Sequence, residues 1–271
     1  MTRKVSCVVP ARLASNRFPG KMLHPLLGIP IVVHTLRRAR EAGCFDEILC
    51  LTDSKDIRDE VVAHGFRAEL TGPAANGTER IGKYHDYISN DLIVNLQGDE
   101  PAFSPHALRI LYHALLQEPE TVHILVHDHP VGPADLANPN RSKAGLSADG
   151  LVLDFYRTEP RRAVAESRIQ MGSYGYNKDW LRKYAQGAAS SLELSESHEL
   201  LRDLDASPVR AHACPFRSQA VDIREDAEEA LALLQRDFPG GIDAEMAHAD
   251  SHANRAEAHA NMVIIADSVL S

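Results

Sequence analysis

Apolar residues in this chain fall into short dense runs, separated by polar stretches in which they recur at helical spacing. Val5–Val9 ("VSCVV"), Glu47–Thr52 ("EILCLT") and Leu92–Leu96 ("LIVNL") are runs of strand length. Parallel strands covered on both faces have this continuous character. Between them, Ile29–Gly43 predicts a helix with Gly43 as its C-cap, and Ser54–Gly65 one with Ser54 as its N-cap. Thr78–Ser89 predicts a third helix, with Thr78 placed to cap it. Later in the chain, Ser104–Gln117, Leu192–Leu204 and Arg224–Arg236 predict helices, and Val122–Val126, Leu151–Arg157 and Gly172–Tyr176 predict strands. Alternation of this kind predicts an α/β fold on a mostly parallel sheet with helices on both faces.

Composition narrows the class. With 271 residues, 44% hydrophobic and 25% charged, the chain reads as a globular domain with a sizeable core. We expect an α/β domain over residues 1–241 and a helical, Ala- and His-rich extension over residues 242–271. A net charge of −9 argues against nucleic acid as a partner, so each basic cluster is judged as a local site. Cys7, Cys44, Cys50 and Cys214 form no CxxC pair, which predicts free thiols in a reducing, cytoplasmic setting. No apolar stretch is long enough to predict a signal peptide or membrane insertion.

Four stretches carry candidate chemistry. After the first strand comes "PARLASNRFPGK", where Pro10 and Pro19-Gly20 forbid regular structure while Arg12, Arg17 and Lys21 accumulate. Ligands of parallel α/β sheets bind where loops leave the carboxyl ends of strands. Such a loop suits a polyphosphate or is a solvated basic turn; its spacing is neither Walker A nor GxGxxG. In "NGTER", Arg80 stands near a helix N-terminus, against the dipole, which an acceptor-rich ligand would offset. "NLQGDEP" puts Asp99 and Glu100 just past the strongest strand, where a carboxylate beside phosphate suits Mg²⁺ and Gly98 permits close approach of a ligand. In "AVDIRED", Asp222 is either a helix N-cap or a second metal carboxylate.

In order, "VVPARLASNRFPGKML", "NGTERI", "VNLQGDEP", "NPN", "FYR", "GSYGY", "SSLELSE" and "AVDI" resemble the cytidylyltransferases that make CMP-3-deoxy-manno-octulosonate, over about Val5–Leu233. The resemblance implies a single nucleotide-binding domain of glycosyltransferase-A type, with a mostly parallel mixed sheet and a small subdomain that forms a homodimer. It implies Mg²⁺-dependent transfer of CMP from CTP to a 3-deoxy-2-ulosonic acid, with pyrophosphate released, in lipopolysaccharide or capsule biosynthesis. By it, Arg12, Ser15, Arg17 and Lys21 hold the phosphates, and Thr78, Arg80 and Gln97 surround the cytidine. Asp99 and Asp222 ligate magnesium and, with Arg12 and Lys21, form the catalytic set. Lys143, Arg157, Gln170, Tyr174, Tyr176, Glu193 and Glu196 line the side that takes the acidic sugar.

The chain departs from the family pattern on the acceptor side. Gln170 stands where the family carries a histidine, and "TEPRRAVAESRIQ" is shorter than the usual segment. This leaves open a different acidic acceptor, or a CTP-binding regulatory protein without turnover. A glycosyltransferase would carry a DxD-type motif, absent here. His248 and His252 share an i, i+4 spacing that more readily makes a solvated helix face than a zinc site. Trp180 and Tyr184, also at i, i+4, read as packing residues.

Overall fold

The computed structural model describes residues 3–237. The expected boundary at residue 241, the helical extension, His248 and His252 lie outside the described residues. The elements that frame the site are β1 (Val5–Ala11), α1 (Ile31–Ala42), β2 (Glu47–Thr52), α2 (Lys55–Ala63), β3 (Arg67–Leu70), α3 (Gly77–Lys83), β4 (Leu92–Leu96), α4 (Pro105–Gln117) and β5 (Val122–His127). They are followed by β6 (Lys143–Leu146), β7 (Val152–Tyr156), β8 (Glu166–Asn177), α5 (Lys178–Gln186), α6 (Ser191–Glu196), β9 (Val209–Cys214) and α7 (Arg224–Asp237).

These strands form one sheet in the order β9-β5-β8-β4-β1-β2-β3. β1 runs parallel to β2 and β4, whereas β8 inserts antiparallel between β4 and β5. The first residues of β8 leave the main sheet to pair with β6, which pairs with β7, making a smaller antiparallel extension. Because every residue of β1 is buried, its alternate side chains feed two cores. Val5, Cys7 and Val9 pack with Val32 and Leu36 of α1 and Leu108 and Leu111 of α4. Val8 faces the other way, toward Ile81 of α3 and Trp180 and Leu181 of α5. Trp180 and Tyr184 do pack, their rings stacked 5.2 Å apart.

A third cluster decides where the site forms. Phe18, Leu26 and Ile31 from the segment after β1 close on Val221, Ala227, Ala230 and Leu234. Burying a side chain such as Val221 or Leu234 contributes about 1.5–3 kcal/mol. That packing seats α7, from the far end of the described chain, against the basic loop.

Several boundaries differ from the sequence reading. The helix expected from Ile29 starts at Ile31, since Ile29–Pro30 pairs with Pro25–Leu26 in a hairpin. Asn76, not Thr78, caps α3: its side-chain oxygen accepts from the Glu79 N–H at 2.7 Å. The helix expected over Leu192–Leu204 breaks at Ser197, whose φ of 51° takes the left-handed region, and resumes as a 3₁₀ turn over Glu199–Arg202. β3, β6 and β9 were not expected. Arg67–Leu70 is a polar edge, Lys143–Leu146 ("KAGL") is poor in β-formers, and Val209–Cys214 alternates with Arg and His. All four cysteines are free, and burial pushes the Cys50 thiol up to about 12.

Candidate active site

Strand order reverses at β1: its chain successor β2 lies on one side and β4 on the other. Such a switch point leaves a crevice at the strands' carboxyl ends. Here it is a cavity of about 670 Å³, of the size that holds nucleotides and sugars. The loop after β1 forms one wall and Gln97–Asp99 the floor. Between them Gly98 lets the chain pass close to β1: a Cβ there would lie 2.9 Å from the Pro10 carbonyl oxygen. The close approach that Gly98 permits is therefore to β1 itself, and not to a ligand.

Lys21 is the centre of the charged end. Gly20, with φ 71°, turns the chain so that Lys21 opens a short 3₁₀ turn and points inward, 7% exposed. Its ammonium donates to Asp99 Oδ2 at 2.6 Å, to the Val221 carbonyl at 2.8 Å and to Asp222 Oδ1 at 3.1 Å. Burial pushes the Lys21 pKa down, but Asp99 and then Asp222 more than offset this and raise it. The other carboxylate oxygen of Asp222 meets Arg17 at 3.1 Å. Burial pushes the Asp222 pKa up, and Lys21, Arg17 and Arg157 together bring it below the ordinary value. Asp222 is not a cap. Asp226 accepts from the backbone N–H groups of Asp222 and Ile223, which leaves the Asp222 carboxylate for the cavity. Behind this cluster Glu100 is buried, and burial with the charges of Asp99 and Asp222 pushes its pKa up to about 8.

Two carboxylates thus meet one ammonium nitrogen within hydrogen-bond distance. Hard oxygen donors at one spot suit a small divalent cation. Among the described residues no group of three or more His, Cys, Asp or Glu side chains is placed to hold a metal. A cation held by Asp99 and Asp222 would need substrate or water oxygens to complete its shell, the arrangement typical of Mg²⁺ with phosphates.

The cavity brings together Arg12, Ser15, Arg17, Lys21, Arg80, Gln97, Asp99, Arg157, Gln170, Tyr174, Glu193 and Asp222. Arg12 and Arg17 stand exposed on the rim. Four expected residues lie elsewhere. Thr78 is fully buried, its hydroxyl near the Tyr176 hydroxyl and the Asn95 amide, so it does not reach a cytidine in the cavity. Tyr176 is equally buried, stacked on Trp180. Lys143 is enclosed, donating to the carbonyls of Asn138 and Arg157 at 2.6 and 2.5 Å; burial and Arg157 push its pKa down. Glu196 accepts from the Arg157 backbone N–H and from Arg161, and braces the wall from behind.

Others are in the cavity but already engaged. Arg80 pairs with Asp53 at 2.6 Å and bonds Thr71 and the Gly72 carbonyl, so its charge near the helix start is offset by protein. The Arg157 guanidinium donates to the backbone carbonyls of Glu196, Asn140, Pro139 and Ser197. Among the described residues it has no carboxylate partner, and its positive charge still acts on Asp222. Gln170 turns its amide to the Met171 carbonyl.

Several residues of the far wall went unrecognised in the sequence. Glu199 accepts from the Thr78 N–H and from Gln97, both at 3.1 Å, and so sets the Gln97 amide. Arg202 holds Glu193 with two bonds of 2.7 Å. Asn76, which signals itself as the residue three before Glu79, bonds Glu193 at 3.1 Å as well as capping α3. His198 also lines the cavity. It is 5% exposed, and burial with Arg157 and Arg161 nearby pushes its pKa down to about 3.

That shift makes stability depend on pH. An unfolded histidine takes up a proton below about pH 6.5, while the folded ring refuses it until about pH 3. Acid therefore favours the unfolded chain, by about 1.4 kcal/mol per pH unit from this one group. His198→Phe is expected to flatten the fall in urea-unfolding free energy between pH 7 and pH 5. Identical slopes in both proteins would mean that the folded ring protonates normally.

The cytidylyltransferase family model matches residues 6–208. The chain is 34% identical over 240 residues to the 3-deoxy-manno-octulosonate cytidylyltransferase of Anaeromyxobacter sp. (strain Fw109-5), covering 86% of this chain and 97% of that protein. It is 36% identical over 237 residues to the enzyme of that name from Myxococcus xanthus (strain DK1622), covering 84% and 95%. Among solved structures it is similar to CMP:2-keto-3-deoxy-manno-octonic acid synthetase complexed with CTP, with a TM-score of 0.78 and 30% identity over 86% of this chain and 99% of that one. HddC from Yersinia pseudotuberculosis, at TM-score 0.65 and 13% identity over 84% and 99%, shares the fold alone.

Proposed function

This chain belongs to the cytidylyltransferases, in the 3-deoxy-manno-octulosonate group, and from that we propose how its cavity does the chemistry. The reaction is transfer of CMP from CTP to a 3-deoxy-2-ulosonic acid, 3-deoxy-manno-octulosonate or a relative. The anomeric hydroxyl forms a bond to the α-phosphorus and gives its proton to water, as the bond from the α-phosphorus to the bridging oxygen breaks and pyrophosphate leaves with that oxygen. The observation that carries the reading is the Lys21 ammonium set between Asp99 and Asp222 beneath Arg12 and Arg17.

Arg12, Arg17, Ser15 and the loop backbone receive the triphosphate. Lys21 and Arg12 offset the charge that builds on the departing pyrophosphate, acting mainly by position and field. Asp99 and Asp222 would hold Mg²⁺, which would supply a Lewis acid for phosphate and hydroxyl oxygens. Lys21 lies between the two carboxylates and keeps them together. Gln97, set by Glu199, faces the nucleoside. Arg157, Gln170, Tyr174 and Glu193 face the acid, with the charge of Arg157 directed at its carboxylate. We further propose that the protein is a cytoplasmic homodimer; among the described residues no helix is long and apolar enough to cross a membrane.

The test is pyrophosphate release with each nucleoside triphosphate against a panel of ulosonic acids, with and without MgCl₂. Magnesium-dependent release with CTP and 3-deoxy-manno-octulosonate is expected. Binding of CTP without release on any acid would assign the chain to regulation instead.

A further inference from the structure

His198 has no structural task that its polar atoms explain. Its ring stacks on Phe155 at 3.9 Å between centroids and 14° between planes, a contact any aromatic ring would make. Both ring nitrogens are buried and without a hydrogen-bond partner among the described residues. Groups buried this way normally find partners, and an orphaned pair at a cavity wall marks a place where a ligand completes the bonding. The ring belongs to the wall that also carries Arg157, Gln170, Tyr174 and Glu193.

The neighbourhood defines the missing partner. Arg157 is engaged by four backbone carbonyls, and Arg161 by Asp154, Glu196 and the Phe155 carbonyl. Burial, with these two cations beside the ring, keeps it neutral. A neutral imidazole offers one N–H and one lone pair. It matches a hydroxyl, which accepts and donates, and has no charge for a carboxylate or phosphate. Anionic groups have cations to meet them, the acid's carboxylate at Arg157 and the phosphates around Lys21 and Arg12. Both nitrogens are shielded from water, so recognition requires the ring to turn toward the entering hydroxyl. It follows Ser197, the left-handed residue where α6 ends.

We propose that His198 recognises a hydroxyl of the acceptor's sugar chain and thereby selects which ulosonic acids this protein accepts. The proposal rests on the functional reading above. It makes His198 a specificity-determining residue that contacts substrate, and it gives the wall carrying Gln170 a neutral donor-acceptor pair of its own.

The test compares wild type, His198→Phe and His198→Asn in the pyrophosphate assay. Phe keeps the stack on Phe155 and removes both nitrogens, while Asn keeps a neutral donor and acceptor. The Phe variant is expected to raise the KM for the acid at least tenfold, with the KM for CTP within twofold of wild type. Asn is expected to hold the acid KM within about threefold. Among acids lacking one hydroxyl each, one is expected to be used equally by wild type and the Phe variant, because the group read by His198 is already gone. If the Phe variant does not fold, His198→Leu is read the same way.

An unchanged acid KM in the Phe variant, with wild type turning over normally, overturns this inference and leaves the functional reading intact. So do parallel rises in both KM values, a rise for CTP alone, or an Asn variant as impaired as Phe. No turnover by wild type on any acid removes both.

Discussion

Asp99→Asn is expected to fold normally, bind CTP, and lose turnover by roughly three orders of magnitude. The substitution is nearly isosteric and removes one negative charge from the pair that Lys21 bridges. Asp99 is only partly buried, so it carries little of the core. What it loses is its place beside Asp222 in holding a divalent cation against the phosphates. A thousandfold loss corresponds to about 4 kcal/mol of transition-state stabilisation, the scale of one preorganised electrostatic group in a water-poor site. Asp222→Asn should behave alike, and the double variant should be little worse than either single one, since two ligands of one cation act as a unit. The magnesium concentration giving half-maximal rate should rise in whatever activity remains. CTP affinity measured without metal should change little, because Arg12, Arg17 and Lys21 remain. Near-normal kcat in Asp99→Asn would remove it from the metal site, and full additivity of the two losses would separate the two carboxylates functionally.

The charged end of the cavity was legible in the sequence because local rules govern it. Continuous apolar runs at Val5–Val9, Glu47–Thr52 and Leu92–Leu96 mark the buried strands, and Pro19-Gly20 and Gly98 mark the loops that carry Arg12, Lys21 and Asp99, although β1 itself runs on through Pro10 to Ala11. The nearness of Asp222 was not legible from spacing. It depends on the packing of Val221 and Leu234 against Phe18 and Ile31, a contact across most of the chain. The far wall was read less well for a related reason. An unbroken helix over Leu192–Leu204 would have placed Glu193, His198, Glu199 and Arg202 in a regular phase. The left-handed Ser197 resets that phase and turns Glu199 and His198 to the cavity. Motif resemblance, for its part, names positions without saying which way they face. Thr78, Tyr176 and Lys143 sit one layer behind the surface on which a substrate would rest, and Glu196, partly exposed, braces Arg157 instead.

Arg202→Met is expected to be the most destabilising of these single changes, by about 3–5 kcal/mol, although Arg202 touches no part of the proposed substrate path. Its guanidinium, 4% exposed, grips Glu193 with two bonds and reaches Glu79 at 3.2 Å. It also donates to the Tyr184 and Gly187 carbonyls and lies 4.2 Å over the Tyr184 ring. Hydrogen bonding to Glu193, against the opposing effect of burial, raises the pKa of Arg202 further above its ordinary value. Methionine fills much of the volume but strands the Glu193 carboxylate, 6% exposed, with only Asn76 and Tyr184 as partners among the described residues. In a domain of this size the melting temperature should fall by roughly 10–15 °C. Leaving an unpaired buried charge costs more than losing both charges. Arg202→Met combined with Glu193→Leu should therefore recover at least half of the lost stability. The recovered protein would still lack the Glu193 bond to Asn76, which caps α3 beside the cavity, so activity should stay low while the melting temperature returns. A double variant less stable than Arg202→Met would show that stacking on Tyr184 and the carbonyl bonds, and not the ion pair, account for what Arg202 contributes.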